Sequence, residues 1–232
     1  MSIITRSLAD QAFEVIRERI LSAKIPPLAP IRQDALAEEL GISKIPLREA
    51  LAKLEQHGLL HSLPNRGFFV PPLTTTEAEE VFALRLKIEP EAAARASLDA
   101  DDSQREAAKA ALAALENVSS TDPRDTVLLN RAFHLALVRP GGRQVTTQLV
   151  ERLHVLAERY VHKHLEPAGR NARAHREHRA LLKAWLARDV DRIGVLLSQH
   201  IATTLDDLRA QLRESDVAGN SKPVRIRKSA HS

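Results

Sequence analysis

Two short amphipathic stretches meet at Gly41-Ile42-Ser43, and that junction constrains the first third of the chain more than any other feature. Upstream, residues 33–40 place Ala35, Leu36 and Leu40 on one helical face, and Gly41 suits the left-handed residue that closes a helix. Downstream, Ser43 can cap a second helix, with Pro46 tolerated in its first turn. Leu47, Ala50, Leu51 and Leu54 then recur at the spacing of a buried face, and Gly58 ends the helix after His57. So tight a turn lets the second helix cross the first, as in a helix-turn-helix.

The flanks extend the pattern. Residues 7–23 set Leu8, Ala12, Val15, Ile16 and Ile20 near a helical period, until Pro26, Pro27 and Pro30 break it. Leu59–Leu63 and Phe68–Val70 flank Pro64-Asn65-Arg66-Gly67, the pattern of two short strands around a turn. Three helices and a hairpin within residues 1–72 predict a winged helix-turn-helix domain.

Such a domain suggests DNA. A recognition helix must bury one side and offer cations on the other, to reach phosphates and base edges. Lys44, Arg48 and Lys53 meet that need, with Ser43 at the helix start for a phosphate and Ile45 beside it. Arg66 and Gly67 sit at the wing tip, where a small residue permits close approach and an arginine suits a minor groove. The alternative is a solvated helix face in a protein-interaction module, and periodicity alone does not choose between them. Net charge does not help. The chain carries +4, but Lys222, Arg225, Arg227 and Lys228 near the C-terminus account for all of it.

Pro71-Pro72 marks a stiff boundary, and beyond it nothing has the pattern of a strand. Helical stretches fall at about 76–98, 102–117, 123–138, 142–165, 170–187 and 190–213, with Pro90 expected to kink or split the first. The expected fold is therefore mainly α: the winged domain, then an all-α bundle of six or seven helices over residues 73–213. Residues 214–232 are expected to form a basic, disordered tail. With no cysteine and no apolar run beyond about six residues, disulfides, thiolate metal sites and a membrane span are excluded. The expected setting is the bacterial cytoplasm, in association with the nucleoid.

Four polar positions stand out in the second domain. Asn130 and His134 are four apart, on one helix face. His178 and His200 lie eleven residues either side of Asp189, so an antiparallel hairpin brings them level. Inward imidazoles at one height, opposite an Asn/His pair, make a plausible divalent-metal site, zinc or another first-row transition metal. The bland alternative is that each is a core histidine satisfied by hydrogen bonds. His154, His162, His164 and His175 are given no role, and Glu177 is placed on a different face from His178.

The run Leu36-Ala37-Glu38-Glu39-Leu40-Gly41-Ile42-Ser43-Lys44-Ile45-Pro46-Leu47-Arg48-Glu49-Ala50-Leu51, continued by Leu54–Leu60 and Pro64–Val70, closely resembles the signature of GntR-type bacterial regulators. One departure matters: the family usually has Arg then Thr after the turn serine, where this chain has Lys44-Ile45. Leu84–Glu89, Asn130–His134, Glu177–Leu182 and Gln199–Ile201 resemble, more loosely, the effector-binding domain of the FadR-like (FCD) branch. The resemblance implies a metal held by Asn130, His134, His178 and His200, with a small organic acid completing its shell. It also implies a role near the effector for Arg85, whose alternative is an ion pair with Glu89 four residues on.

Together these imply a homodimeric, ligand-responsive transcriptional regulator on a palindromic operator, a repressor released by a small organic or sugar acid. The rivals are a metal sensor and, from another class, a helical metalloenzyme with a DNA-binding appendage. Against the enzyme, the chain has no His-Glu-x-x-His helix.

Overall fold

The computed structural model describes residues 7–64, 66–117, 123–165, 167 and 169–220. Its first three helices are α1 (Leu8–Leu21), α2 (Gln33–Leu40) and α3 (Lys44–Gln56). Ser7 starts α1 by accepting a hydrogen bond at Oγ from the Asp10 N–H. Gly41 closes α2 at φ +64°, and the Ile42 N–H returns to the Ala37 carbonyl, which turns the chain sharply into α3. Ser43 occupies the N-cap position of α3 but makes no capping hydrogen bond with its side chain, contrary to expectation.

The wing pairs β1 (His61–Leu63) with β2 (Gly67–Phe69), antiparallel, Leu63 opposite Gly67. The proline-rich segment before α2 also joins it, with the Ile31 N–H donating to the Phe68 carbonyl and Leu28 to Val70. Ile16, Leu47, Leu51, Leu54, Leu60 and Val70 are the centre of this domain's core. Leu8 and Ala35, expected inward, are exposed, and Arg17 is buried in their stead.

Six helices follow: α4 (Thr75–Asp99), α5 (Asp102–Asn117), α6 (Pro123–Val138), α7 (Gln144–Leu165), α8 (Arg170–Leu186) and α9 (Val190–Asn220). A 3-10 turn, Arg139–Gly141, links α6 to α7. Asp101 and Gln104 cap α5 reciprocally, each side chain accepting from the other's backbone N–H at 3.0 and 2.8 Å. Trp185, fully buried, ties three elements by donating through Nε1 to the Ala93 and Leu137 carbonyls.

Two expectations change. Pro90 does not split α4, which is continuous through it and packs along α6, α7 and α9. Proline costs a helix interior roughly 3 kcal/mol, and an element packed on so many sides offsets that. The last helix also runs on to Asn220, so residues 214–220 are helical rather than tail, while 221–232 lie outside the described residues. No described helix is long and apolar enough to cross a membrane.

The two domains meet at α7. Arg17 of α1 donates to the Glu158 carboxylate through both Nε and a terminal nitrogen, and Arg131 of α6 sits 2.9 Å from that carboxylate's other oxygen. Glu158 is 1% exposed and Arg17 4%. Burial pushes the Glu158 carboxyl up, and the arginines beside it offset this only in part. Gly58, at φ +78°, lies against Leu156 so closely that a Cβ there would come within 2.5 Å of it.

Candidate DNA-contacting face and buried histidine centre

Lys44, Ile45 and Arg48 lie exposed at the start of α3, where they line a shallow surface cleft with Arg32, Gln33, Asp34 and Ala35 of the α2 start. Lys44 Nζ stands 2.7 Å from Asp34 Oδ1, both in solvent. Ser43 is exposed alongside. Arg66 is exposed at the wing, and Gly67, at φ +74°, has open space where a side chain would be. Lys53 does not join this face. It is nine residues beyond Lys44, half a helical turn out of phase, and its Nζ bonds Asp10 Oδ1 of α1 at 2.6 Å.

The deeper site lies in the bundle. His134 on α6, His178 on α8 and His200 on α9 each turn a ring nitrogen inward, all within 4.8 Å of one another. His178 Nε2 is 3.3 Å from His200 Nε2. Neither nitrogen of His134, nor Nδ1 of His178, has a hydrogen-bond partner among the described residues. Burial first, then the neighbouring imidazoles, hold His134 and His178 well below the usual histidine range, so both are neutral and present lone pairs. Ring nitrogens of three histidines gathered this closely fit a divalent ion of borderline softness. Asn130, one turn before His134, lines the same cavity as His178 and His200. That cavity measures about 20 Å³, roughly the room of one water.

Arg85 also lines this cavity, but its guanidinium is committed: Nε lies 2.6 Å from Glu89 Oε1, with both side chains buried. His154 Nε2 completes the group, 3.2 Å from the other Glu89 oxygen. Burial works to raise the Glu89 carboxyl, yet Arg85 and then His154 hold it at about 2. Glu89, His134 and His154 thus form a second cluster of potential metal-ligating atoms, sharing His134 with the first.

Residues 8–70 match the family described as "Bacterial regulatory proteins, gntR family", and residues 80–203 match the FCD domain. The chain belongs to the GntR family, in its FCD-bearing branch. Like its relatives, this GntR-family chain is a transcriptional regulator and not an enzyme. One relative, the HTH-type transcriptional regulator BphR of Paraburkholderia xenovorans (strain LB400), is 29% identical over 214 residues, 88% of this chain and 86% of its own length. The HTH-type transcriptional repressor RspR of Escherichia coli (strain K12) is 24% identical over 91% of this chain and 93% of its own. Among solved structures, E. coli McbR/YncC has the same fold, with TM-score 0.74 and 23% identity over 90% of this chain and 100% of that one.

Within this GntR-family frame, several residues of the site escaped the sequence. Glu177 stands on a different face of α8 from His178, as expected, and its Oε2 lies 2.6 Å from His200 Nδ1, so it orients the ring whose Nε2 faces His178. His154 had no assigned role, although its i,i+4 relation to Glu158 puts both on one face of α7. The joint of Arg17, Glu158 and Arg131 left no sequence signal, since its members lie far apart in the chain.

Proposed function

We propose that this regulator is a homodimeric repressor whose grip on a palindromic operator is released by a small carboxylate-bearing metabolite bound at a metal centre in the helical domain. One observation carries the reading: ring nitrogens of His134, His178 and His200 converge within 4.8 Å of one another, and neither nitrogen of the buried His134 has a hydrogen-bond partner among the described residues. His134, His178 and His200 would hold the ion, with Asn130 as an oxygen donor. The ion would supply a positive charge to which a carboxylate can bind. Asn130 is neutral and balances less of that charge than an aspartate would, which leaves more for an anionic effector. Glu177 fixes the His200 tautomer with Nε2 inward. Arg85 is already satisfied by Glu89, so an acid that engages Arg85 must compete with that pair.

The cavity's size adds a constraint. Space for about one water does not admit an organic acid, so the effector selects a wider arrangement of α6, α8 and α9. Residues 131 and 134 share α6, so a shift that widens the cavity also displaces Arg131 and through it the Glu158–Arg17 joint to the DNA-binding domain. A coupling of about 1–3 kcal/mol would change operator affinity roughly five- to 150-fold. Two relatives, RspR and GlaR of E. coli (strain K12), are named transcriptional repressors, which supports repression over activation.

The test is a thermal-shift screen of the full chain against organic and sugar acids, with and without a chelator. Tight ligands raise the melting temperature, and the rise should vanish when metal is removed. A response to metal with no response to any acid would favour a metal sensor instead. On the DNA side, Arg48→Ala should lower operator affinity about ten-fold or more in a mobility-shift titration, with folding and dimer state intact. Unchanged affinity would remove Arg48 from the interface.

A further inference from the structure

The first turn of α3 carries an unusual group for a surface expected to face DNA. Ile45 is 73% exposed, more than any other large hydrophobic residue described in the winged domain. Its neighbours on the cleft are polar: Arg32, Gln33, Asp34, Lys44 and Arg48. Lys44 is drawn aside to Asp34 at 2.7 Å. The foremost part of the helix therefore presents an isoleucine side chain, with Arg48 one turn behind it.

A branched apolar side chain gains nothing from phosphates, which are sequence-independent and contacted by cations. In the major groove the one apolar feature of a base edge is the thymine C5-methyl. Covering it with an aliphatic side chain removes both from water, whereas the same side chain against a cytosine edge desolvates the N4 amine without satisfying it. Burial within this chain does not explain the residue either, since α3 already buries Leu47, Ala50, Leu51 and Leu54 on its other side.

We infer that Ile45 is a specificity-determining residue that packs on a thymine methyl, so that each operator half-site carries a thymine at the base pair facing the first turn of α3. This rests on the operator-binding reading above and adds to it a base and an atom. Asp34 sharpens the selection, because a carboxylate beside Lys44 reduces the non-specific attraction that an all-cationic face would have for any duplex.

The experiment takes the full chain and a library of randomised duplexes, and selects the sequences it retains. The thymines of the selected duplex are then replaced one at a time by deoxyuridine, which removes only the methyl. Affinity should fall about three- to five-fold at one thymine per half-site and stay unchanged at the others. In the Ile45→Ala variant, whose fold is checked by its melting temperature, the thymine and deoxyuridine duplexes should bind equally. The inference is overturned if no deoxyuridine position matters or if the difference persists in Ile45→Ala. It also fails if that variant alters the oligomeric state and leaves DNA binding untouched, because Ile45 would then belong to a protein contact. A library from which nothing is enriched would overturn the operator reading itself, and this inference with it.

Discussion

Replacing Glu158 with alanine should destabilise the protein by about 3–5 kcal/mol, because it strands the buried Arg17 guanidinium without a counter-charge. In a chain of this size that is a fall in melting temperature on the order of 10 °C. Arg131, a quarter exposed, can turn towards water, so most of the loss should arise on the Arg17 side. Glu158→Gln keeps the shape and one acceptor oxygen and should cost less. The pair Arg17→Met and Glu158→Leu, which removes charge from both helices, should recover most of the stability lost in Glu158→Ala. The reason is that burial costs this carboxylate more than its partners return, as its raised pKa reflects. Urea unfolding of the four proteins measures this directly. A loss below ~1 kcal/mol in Glu158→Ala would mean the joint is not buried in solution. The recovered double variant has a second use: if the joint transmits the effector's signal, it should fold well yet bind operator with little response to effector.

The second large effect concerns the histidines. His134→Ala should reduce metal affinity by at least ~100-fold, since it removes one of three imidazole donors from a closed site. Metal content by elemental analysis is the measurement, and full retention would refute the ligand set. His154→Ala separates the two clusters that share His134: if the ion sits with His178 and His200, this variant retains it, and if it sits with Glu89, the metal is lost. Wild-type protein should lose thermal stability on chelation, whereas His134→Ala should not change. Asn130→Asp, which adds a formal charge at the cavity wall, should raise metal affinity and lower the response to an anionic effector.

What the sequence could specify follows from the range of the interactions involved. Helix periods, the Gly41 turn and the proline breaks are set within a few residues, and the nine helices seen among the described residues fall close to their expected bounds. The level placement of His178 and His200 was legible too, because a hairpin of two helices fixes register once its turn is located, and Asp189 marks that turn by capping α9. Local pattern misled where packing outweighed it. The length of α4 through Pro90 and the inward turn of Arg17 both depend on what surrounds them.

The winged domain at the Gly41-Ile42-Ser43 junction, the all-helical second domain and the family were therefore determined by the sequence alone. Tertiary structure decided which polar side chains share a charge. It sent Lys53 to Asp10 and away from Lys44 and Arg48, committed Arg85 to Glu89, turned Glu177 onto His200 and joined the domains through Glu158. Arg85 and Glu89 stand four residues apart and Glu177 and His200 a helix hairpin apart, whereas the other two pairs are separated by 43 and 141 residues. Ionic partners far apart in the chain are chosen by distance in space and by the loss of water around them, and neither is written in the order of residues.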